Sequence, residues 1–413
     1  MKDTNRYAWV VVGLLWVVAL LNYMDRQMLS TMKPAMQLDI AELQSATNFG
    51  YLMAIFLWIY GLMSPVSGII ADKFNRKWLI VGSLFVWSVV TYLMGYATTF
   101  NQIYWLRALM GVSEALYIPA ALSLIADFHS PKTRSLAIGI HMTGLYMGQA
   151  LGGFGATIAD KFSWQATFHS FGMAGIFYAI VLIFFLREKK VVEEQTSADR
   201  IQIKPSLFKG LGLLFTNISF WIILFYFAVP SLPGWAAKNW LPTLFAENLN
   251  IPMATAGPLS TITIAVSSFI GVITGGILSD RWVQKNLRGR IYTSAIGLAL
   301  TIPSLLLLGF GHTLFHVMGA AVCFGVGFGM FDANNMPILC QFVSAKYRAT
   351  AYGLMNMVGV FSGAYITDLL GKSTDAGHLG KDFAMLAGIV LVALLVQLYF
   401  LKPKANDFAD ATS

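Results

Sequence analysis

Eighteen consecutive residues near the start of the chain, Tyr7–Met24, carry no charge. A helix rises about 1.5 Å per residue and a bilayer core is about 30 Å thick, so a crossing takes roughly 20 residues. The run is therefore long enough to span, and a helix is the form that satisfies its backbone there. Asp25 and Arg26 follow at once, before the segment ends near Lys33–Pro34. A charge at that depth costs about 2.5–3.5 kcal/mol on an insertion scale and marks a functional position by default. Lys2 and Arg6 precede the run. The run is too long for a signal-peptide core and no small-residue cleavage site follows, so it reads as a retained first span.

Similar stretches recur through all 413 residues, of which 57% are hydrophobic and only 12% charged. A soluble domain carries about 25% charged residues, so lipid must be the solvent for most of this surface. Twelve spans are predicted, at 8–30, 47–71, 78–98, 102–126, 135–158, 167–186, 217–240, 257–280, 291–310, 314–340, 349–370 and 382–401. An even count puts both termini on one side. Of the 28 basic residues, 21 fall in segments on that side and 5 on the other, while Arg26 and Arg107 lie inside spans. The positive-inside rule makes the terminal side cytoplasmic, and a bacterial inner membrane is the expected location. The net charge of +8 is then an orientation signal and not a nucleic-acid footprint. Cys323 and Cys340 share one apolar stretch, about 25 Å apart along a helix, so no disulfide framework is expected.

One long polar insert, Arg187–Thr216, follows the sixth span. It divides the chain into a first half, 1–186, a cytoplasmic linker, 187–216, a second half, 217–402, and a tail, 403–413. Ile201–Leu214 is expected to form a short amphipathic surface helix. The halves echo each other. Ser130-Pro-Lys-Thr-Arg134 opens span five and Ser344-Ala-Lys-Tyr-Arg348 opens span eleven, 214 residues on. Gly68-x-x-x-Asp72-Lys73 closes span two and Gly276-x-x-x-Asp280-Arg281 closes span eight, 208 residues on. A parallel repeat of this kind points to a secondary transporter with its cargo near the midplane between the halves.

Gly68-Ile-Ile-Ala-Asp72-Lys-Phe-Asn-Arg76-Lys77 resembles the loop 2–3 signature of the major facilitator superfamily, with a degenerate copy from Gly276 through Asp280 to Arg290. Gly144, Gly148, Gly152 and Gly153 resemble its glycine-rich fifth-helix motif. The resemblance covers all twelve spans and implies an all-α bundle of two pseudo-symmetric six-helix halves. Within the superfamily the first half resembles two groups. One is the anion:cation symporters of sugar acids and other organic anions, and the other is the Spinster-like lysolipid and sphingolipid transporters. Both share Asn22-Tyr-x-Asp25-Arg26, Arg107-x-x-x-Gly111-x-x-Glu114 and a Trp near the start of span six, here Trp164; Phe74-Asn75-Arg76-Lys77 leans toward the Spinster-like group.

The charged residues suggest how such a chain works. Arg107 and Glu114 lie seven apart, on one face of span four. Counted from Gln102, Arg107 is about 8 Å deep and Glu114 about 18 Å. Asp25, Arg26 and Arg107 are thus expected at similar depth, with Glu114 deeper. Two acids and two bases neutralise each other in an empty site. An anionic cargo pairs with the planar fork of an arginine, and the acid it displaces takes up a proton. Cargo and proton then move together. Arg26 and Arg107 are expected to hold the cargo charge, Glu114 to carry the proton, and Asp25 to act as second carrier or arginine partner. The resemblance to the anion:cation symporters implies the same assignment. The competing view is a static ion-pair network.

Further cargo contacts are expected from Tyr23, Tyr117, Asn334, Asn335 and Asn356, with Pro337 breaking span ten so that freed carbonyls face a cavity. Asp332 is a candidate second titrating group. Trp235 and Trp240 are expected in an interface belt, with Lys238 at the outer mouth. His141 is expected to be a satisfied interior histidine. Asp72, Arg76, Asp280 and Arg348 are expected to gate, Asp72 capping the N-terminus of span eleven near Arg348 when the opposite face is open.

The expected partners are a small anionic cargo, protons and lipid, with no nucleic acid, no cofactor, no metal and a monomeric chain. No Ser/His/Asp set or nucleotide loop suggests an enzyme. The expected activity is proton-coupled symport of a sugar acid such as a hexuronate, aldonate or sialic acid. The alternative is export of an amphipathic lipid or drug.

Overall fold

The computed structural model describes residues 2–188, 212, 214–344 and 347–403, with only the backbone described at 2–5, 69, 72, 131, 132, 135 and 349. Most of the expected linker helix and all but the first residue of the tail lie outside the described residues.

Helix dominates, as continuous apolar runs separated by short loops require. Eleven segments among the described residues are long and apolar enough to cross a membrane. In the first half they are Lys2–Met36 (span one), Ala46–Lys73 (two), Arg76–Met94 (three), Phe100–Ala115 with Tyr117–Phe128 (four) and Trp164–Phe185 (six). In the second they are Ile218–Leu249 (seven), Met253–Val283 (eight), Gly289–Phe310 (nine), Leu314–Asp332 with Asn335–Phe342 (ten), Arg348–Asp375 (eleven) and Leu379–Phe400 (twelve). Pro131–Gly152, a further helix of 22 residues, takes the place of span five and continues as Gly155–Lys161.

Side-chain caps set several of the starts by accepting orphan N–H groups. Ser45 accepts from Asn48, Asn75 from Trp78, and Thr99 and Gln102 form a capping box. Spans four and ten each break in the middle. Pro119 and Pro337 lack the N–H that would bond Ala115 and Ala333, four residues back. The first helix of span four ends at Ala115, and that of span ten at Asp332. These matched breaks fall at equivalent places in the two halves.

Two helix pairs join the halves, and both are tight at one end and parted at the other. At the end remote from the termini, the Asp375 carboxylate of span eleven caps span two. It accepts from the Ala46 N–H at 2.6 Å, the Thr47 N–H at 2.8 Å, and the Ser45 and Thr47 hydroxyls at 2.7 Å each. Gly371 packs on the Ala46 carbonyl and Gly61 on the Phe361 ring. Further along, Asn356 donates to the Ser64 hydroxyl at 3.4 Å. Spans five and eight meet likewise at that end, where Thr261 donates to the Ala150 carbonyl at 3.0 Å. Toward the terminal end they separate, and Gly139 of span five faces open space. Between the halves lies a central cavity of about 740 Å³, whose lining includes Leu136, Gly139 and Ile140 near the terminal end of span five.

Candidate functional site

Span one brings Asn22, Tyr23, Asp25 and Arg26 to the centre of the bundle, and span four brings Arg107 and Glu114. Arg26 donates through Nε to Glu114 Oε2 at 2.6 Å, and Asn22 donates to the same oxygen at 2.9 Å. Glu114 is fully buried. Among the described residues, neither its Oε1 nor Arg26 Nη2, both buried, has a hydrogen-bond partner. Three aromatic rings surround the Arg26 guanidinium, with centroids at 5.0 Å (Tyr23), 4.8 Å (Phe56) and 4.7 Å (Tyr60). Such rings stabilise a desolvated cation through their quadrupoles.

The expected depths need correction. Helix one runs through Pro34 to Met36, so Arg26 lies about 15 Å from its end and reaches Glu114. Arg107 is buried behind Phe56, its guanidinium 4.6 Å from that ring and its Nη1 3.2 Å from Met110 Sδ. No carboxylate lies within ion-pair distance of Arg107 among the described residues. Asp25 likewise pairs with no arginine; it accepts from the Thr91 hydroxyl at 3.3 Å.

The cavity wall is a different set. Tyr23, Asn335 and Asn356 line it, together with Tyr146, Trp235, Lys238, Asp332 and Tyr352. Arg26, Arg107, Asp25 and Glu114 sit behind that wall. Tyr117 does not line it: the side chain is fully buried and donates to the Leu15 carbonyl at 2.8 Å. A regular helix would put Tyr117, three residues after Glu114, on the same face; the backbone irregularity at Leu116 falls between them. Asn334 is also fully buried and donates back to the Met330 carbonyl at 2.8 Å.

Lys238 lies in the interior, not at an outer mouth, because helix seven continues through Pro242 to Leu249. Its Nζ sits 4.6 Å from the centroid of Trp235, which lines the cavity and is no belt residue. Trp240 is fully buried and donates to the Thr367 carbonyl at 3.0 Å. His141 is fully buried, its ring centroid 6.0 Å from that of Tyr117. Lys238 and Trp235 are legible as interior residues only if the proline-containing helix is taken to its full length.

The gating residues bond within their own halves. Arg76 pairs with Asp127, and Arg290 with Asp280 at 3.5 Å. Arg348 donates to the Val343 and Cys340 carbonyls at 3.0 Å each, closing the end of span ten. The Asp72 side chain lies outside the described residues. On the parted face, then, the described gating side chains bond locally.

Two six-helix halves around one cavity, closed at one end and with buried charge behind its wall, define a membrane transporter and not an enzyme. The chain belongs to the Major Facilitator Superfamily, which matches residues 15–367, and is an integral multi-pass membrane protein. It is 24% identical over 414 residues to the hexuronate transporter of Bacillus subtilis (strain 168), covering 95% of this chain and 94% of that one. It is 26% identical over 396 residues to protein spinster homolog 1 of Xenopus tropicalis, covering 91% and 72%. The crystal structure of a bacterial homolog to the human lysosomal transporter Spinster, inward-facing and unoccupied, aligns with a TM-score of 0.82 at 18% identity. That alignment covers 97% of this chain and 98% of the other.

Proposed function

We propose that the chain is a proton-coupled symporter of a small organic anion, with a sugar acid such as a hexuronate, aldonate or sialic acid as cargo. The observation that carries this is the half-engaged Arg26–Glu114 pair. Arg26 gives Glu114 only its Nε, and its Nη2 has no partner among the described residues. A carboxylate is the natural complement of that unpartnered edge once the Tyr23 ring, which stands between it and the cavity, moves aside. Cargo binding there weakens the hold on Glu114. A buried carboxylate without its cation is costly, and capture of a proton relieves that cost. Asp25, held by one hydroxyl, is the second candidate carrier. Arg107 supplies the positive field behind Phe56. The relative that carries the name hexuronate transporter supports the choice of cargo.

By the positive-inside rule the basic face is cytoplasmic, so the cavity opens inward and the Asp375 cap closes the outside. In the opposite state that cap parts, and Asp72 with Arg348 closes the cytoplasmic face. Arg76 and Asp280 then exchange their present partners.

A second reading is export of an amphipathic lipid or drug. The apolar walls contributed by Phe227, Phe269, Phe328, Phe331 and Val360 favour it. Uptake into proteoliposomes under an imposed inward proton gradient separates the two. Concentrative uptake of D-glucuronate, D-galactonate or N-acetylneuraminate supports symport. Failure with all three, together with transport of a lysophospholipid, overturns it.

A further inference from the structure

Among the described residues, the charged groups lining the cavity are Lys238 of span seven and Asp332 of span ten. The exchange between Arg26 and Glu114 uses neither. Both come from the second half, whereas Arg26 and Glu114 come from the first. Lys238 and Asp332 act on each other electrostatically, yet among the described residues no carboxylate lies within 4.0 Å of the ammonium. Asp332 is held on one side by the Asn335 amide, which donates to its Oδ1 at 3.2 Å. The break in span ten aims both residues at the cavity. The Lys238 ammonium rests on the Trp235 ring, an apolar support that leaves its donors free for a cargo.

Lys238 and Arg26 are neighbours across the boundary between the halves. Gln27, next to Arg26, donates to the Lys238 carbonyl at 2.9 Å. Tyr23 touches the Arg26 guanidinium and shares the cavity wall with Lys238. A cargo carboxylate in the cavity therefore meets the Lys238 ammonium directly, with the Arg26 guanidinium behind the Tyr23 ring. Arg107, shielded by Phe56 and Met110, is less well placed.

We propose that Lys238 is the second cationic contact of the cargo, so that the anion subsite is shared by spans one and seven, and that Asp332 is the acid with which the cargo competes for the field of Lys238. The proposal rests on the organic-anion reading and adds where the anion sits. In the empty cavity Glu114 bonds Arg26 directly, while Asp332 acts on Lys238 only through its field. One cargo carboxylate serving both cations draws the halves together around the cavity. That couples occupancy to closure by differential contact, as a population shift requires. Asp332 and Asn335 then remain as hydrogen-bond acceptors for the hydroxyl groups of a sugar acid, which a plain carboxylate lacks.

The test is equilibrium binding of radiolabelled D-glucuronate to the purified full-length protein. Lys238→Met removes the charge and keeps the bulk; it is expected to weaken binding at least about tenfold, the scale of one charge-assisted hydrogen bond. Lys238→Arg is expected to stay within about threefold. Asp332→Asn removes the competitor for Lys238 and is expected to tighten binding about threefold or more. A merely structural pair would lose affinity on both sides, so the opposite signs are diagnostic. Unchanged affinity in Lys238→Met, or weakening in Asp332→Asn to match it, overturns the proposal. If Lys238→Met does not fold, Lys238→Arg and Asp332→Asn decide alone. Failure of the wild type to bind D-glucuronate, D-galactonate or N-acetylneuraminate overturns the organic-anion reading, and this proposal with it.

Discussion

Arg26 and Glu114 meet through one nitrogen and one oxygen, Nε to Oε2 at 2.6 Å. The second oxygen of the acid and Nη2 of the base are buried and unpartnered among the described residues. A static strut would be expected to use the bidentate geometry that arginine offers. A contact that exchanges partners is served better by one bond and one free edge.

Removing either partner alone should therefore cost more than removing both. Arg26→Ala leaves a fully buried carboxylate without its cation and is expected to destabilise by about 3–5 kcal/mol. Adding Glu114→Gln neutralises that carboxylate and is expected to recover most of the loss. Thermal melting of the purified single and double variants reads the non-additivity; additive losses would show that the pair is not coupled.

The Asp375 cap should hold the face remote from the termini closed. Asp375→Ala removes an acceptor shared by four donors and is expected to cost the closed state about 1–3 kcal/mol. Spin labels on exposed Glu42 and Lys381 should then report a longer separation between the halves at that face. An unchanged distance distribution would show that packing alone keeps it shut.

Close approach of spans two and eleven should not tolerate a side chain at Gly371. A Cβ there would lie 2.6 Å from the Ala46 carbonyl oxygen, whereas one at Gly388 would meet nothing within 4 Å. Gly371→Val is expected to open this face and cut uptake at least about tenfold, since overpacking costs about 1–3 kcal/mol. Gly388→Val should transport like wild type. Equal effects of the two would argue against a tight outer closure.

Tyr117→Phe separates core from cavity. It removes the second donor to the Leu15 carbonyl, which keeps its bond within helix one, at an expected cost of about 0.5–1.5 kcal/mol in stability. The KM for cargo should not change. A raised KM with normal stability would place Tyr117 in the cargo's path.

Much of this was legible in the chain before any coordinates. The spans follow from uncharged runs, and the Asn22–Arg26 and Arg107–Glu114 segments from charges where lipid forbids them. What failed was local. The first segment reads as ending near Lys33–Pro34 and span seven at 240, yet helix one runs on to Met36 and helix seven to Leu249. That shortened both helices on paper and misplaced Arg26, Lys238, Trp235 and Trp240. The irregularity at Leu116 interrupts the spacing that ties Tyr117 to Glu114. The shielding of Arg107 depends on Phe56, which lies about 50 residues away and leaves no trace in span four itself.

The central claim is that displacement of Glu114 from Arg26 makes transport proton-coupled. The most direct measurement records D-glucuronate flux and internal pH together in proteoliposomes, for wild type and Glu114→Gln. Wild type is expected to acidify the lumen as glucuronate enters. Glu114→Gln is expected to exchange glucuronate across the membrane with no proton movement and no accumulation. Glucuronate entry without acidification in the wild type, or gradient-driven accumulation by Glu114→Gln, would contradict the account.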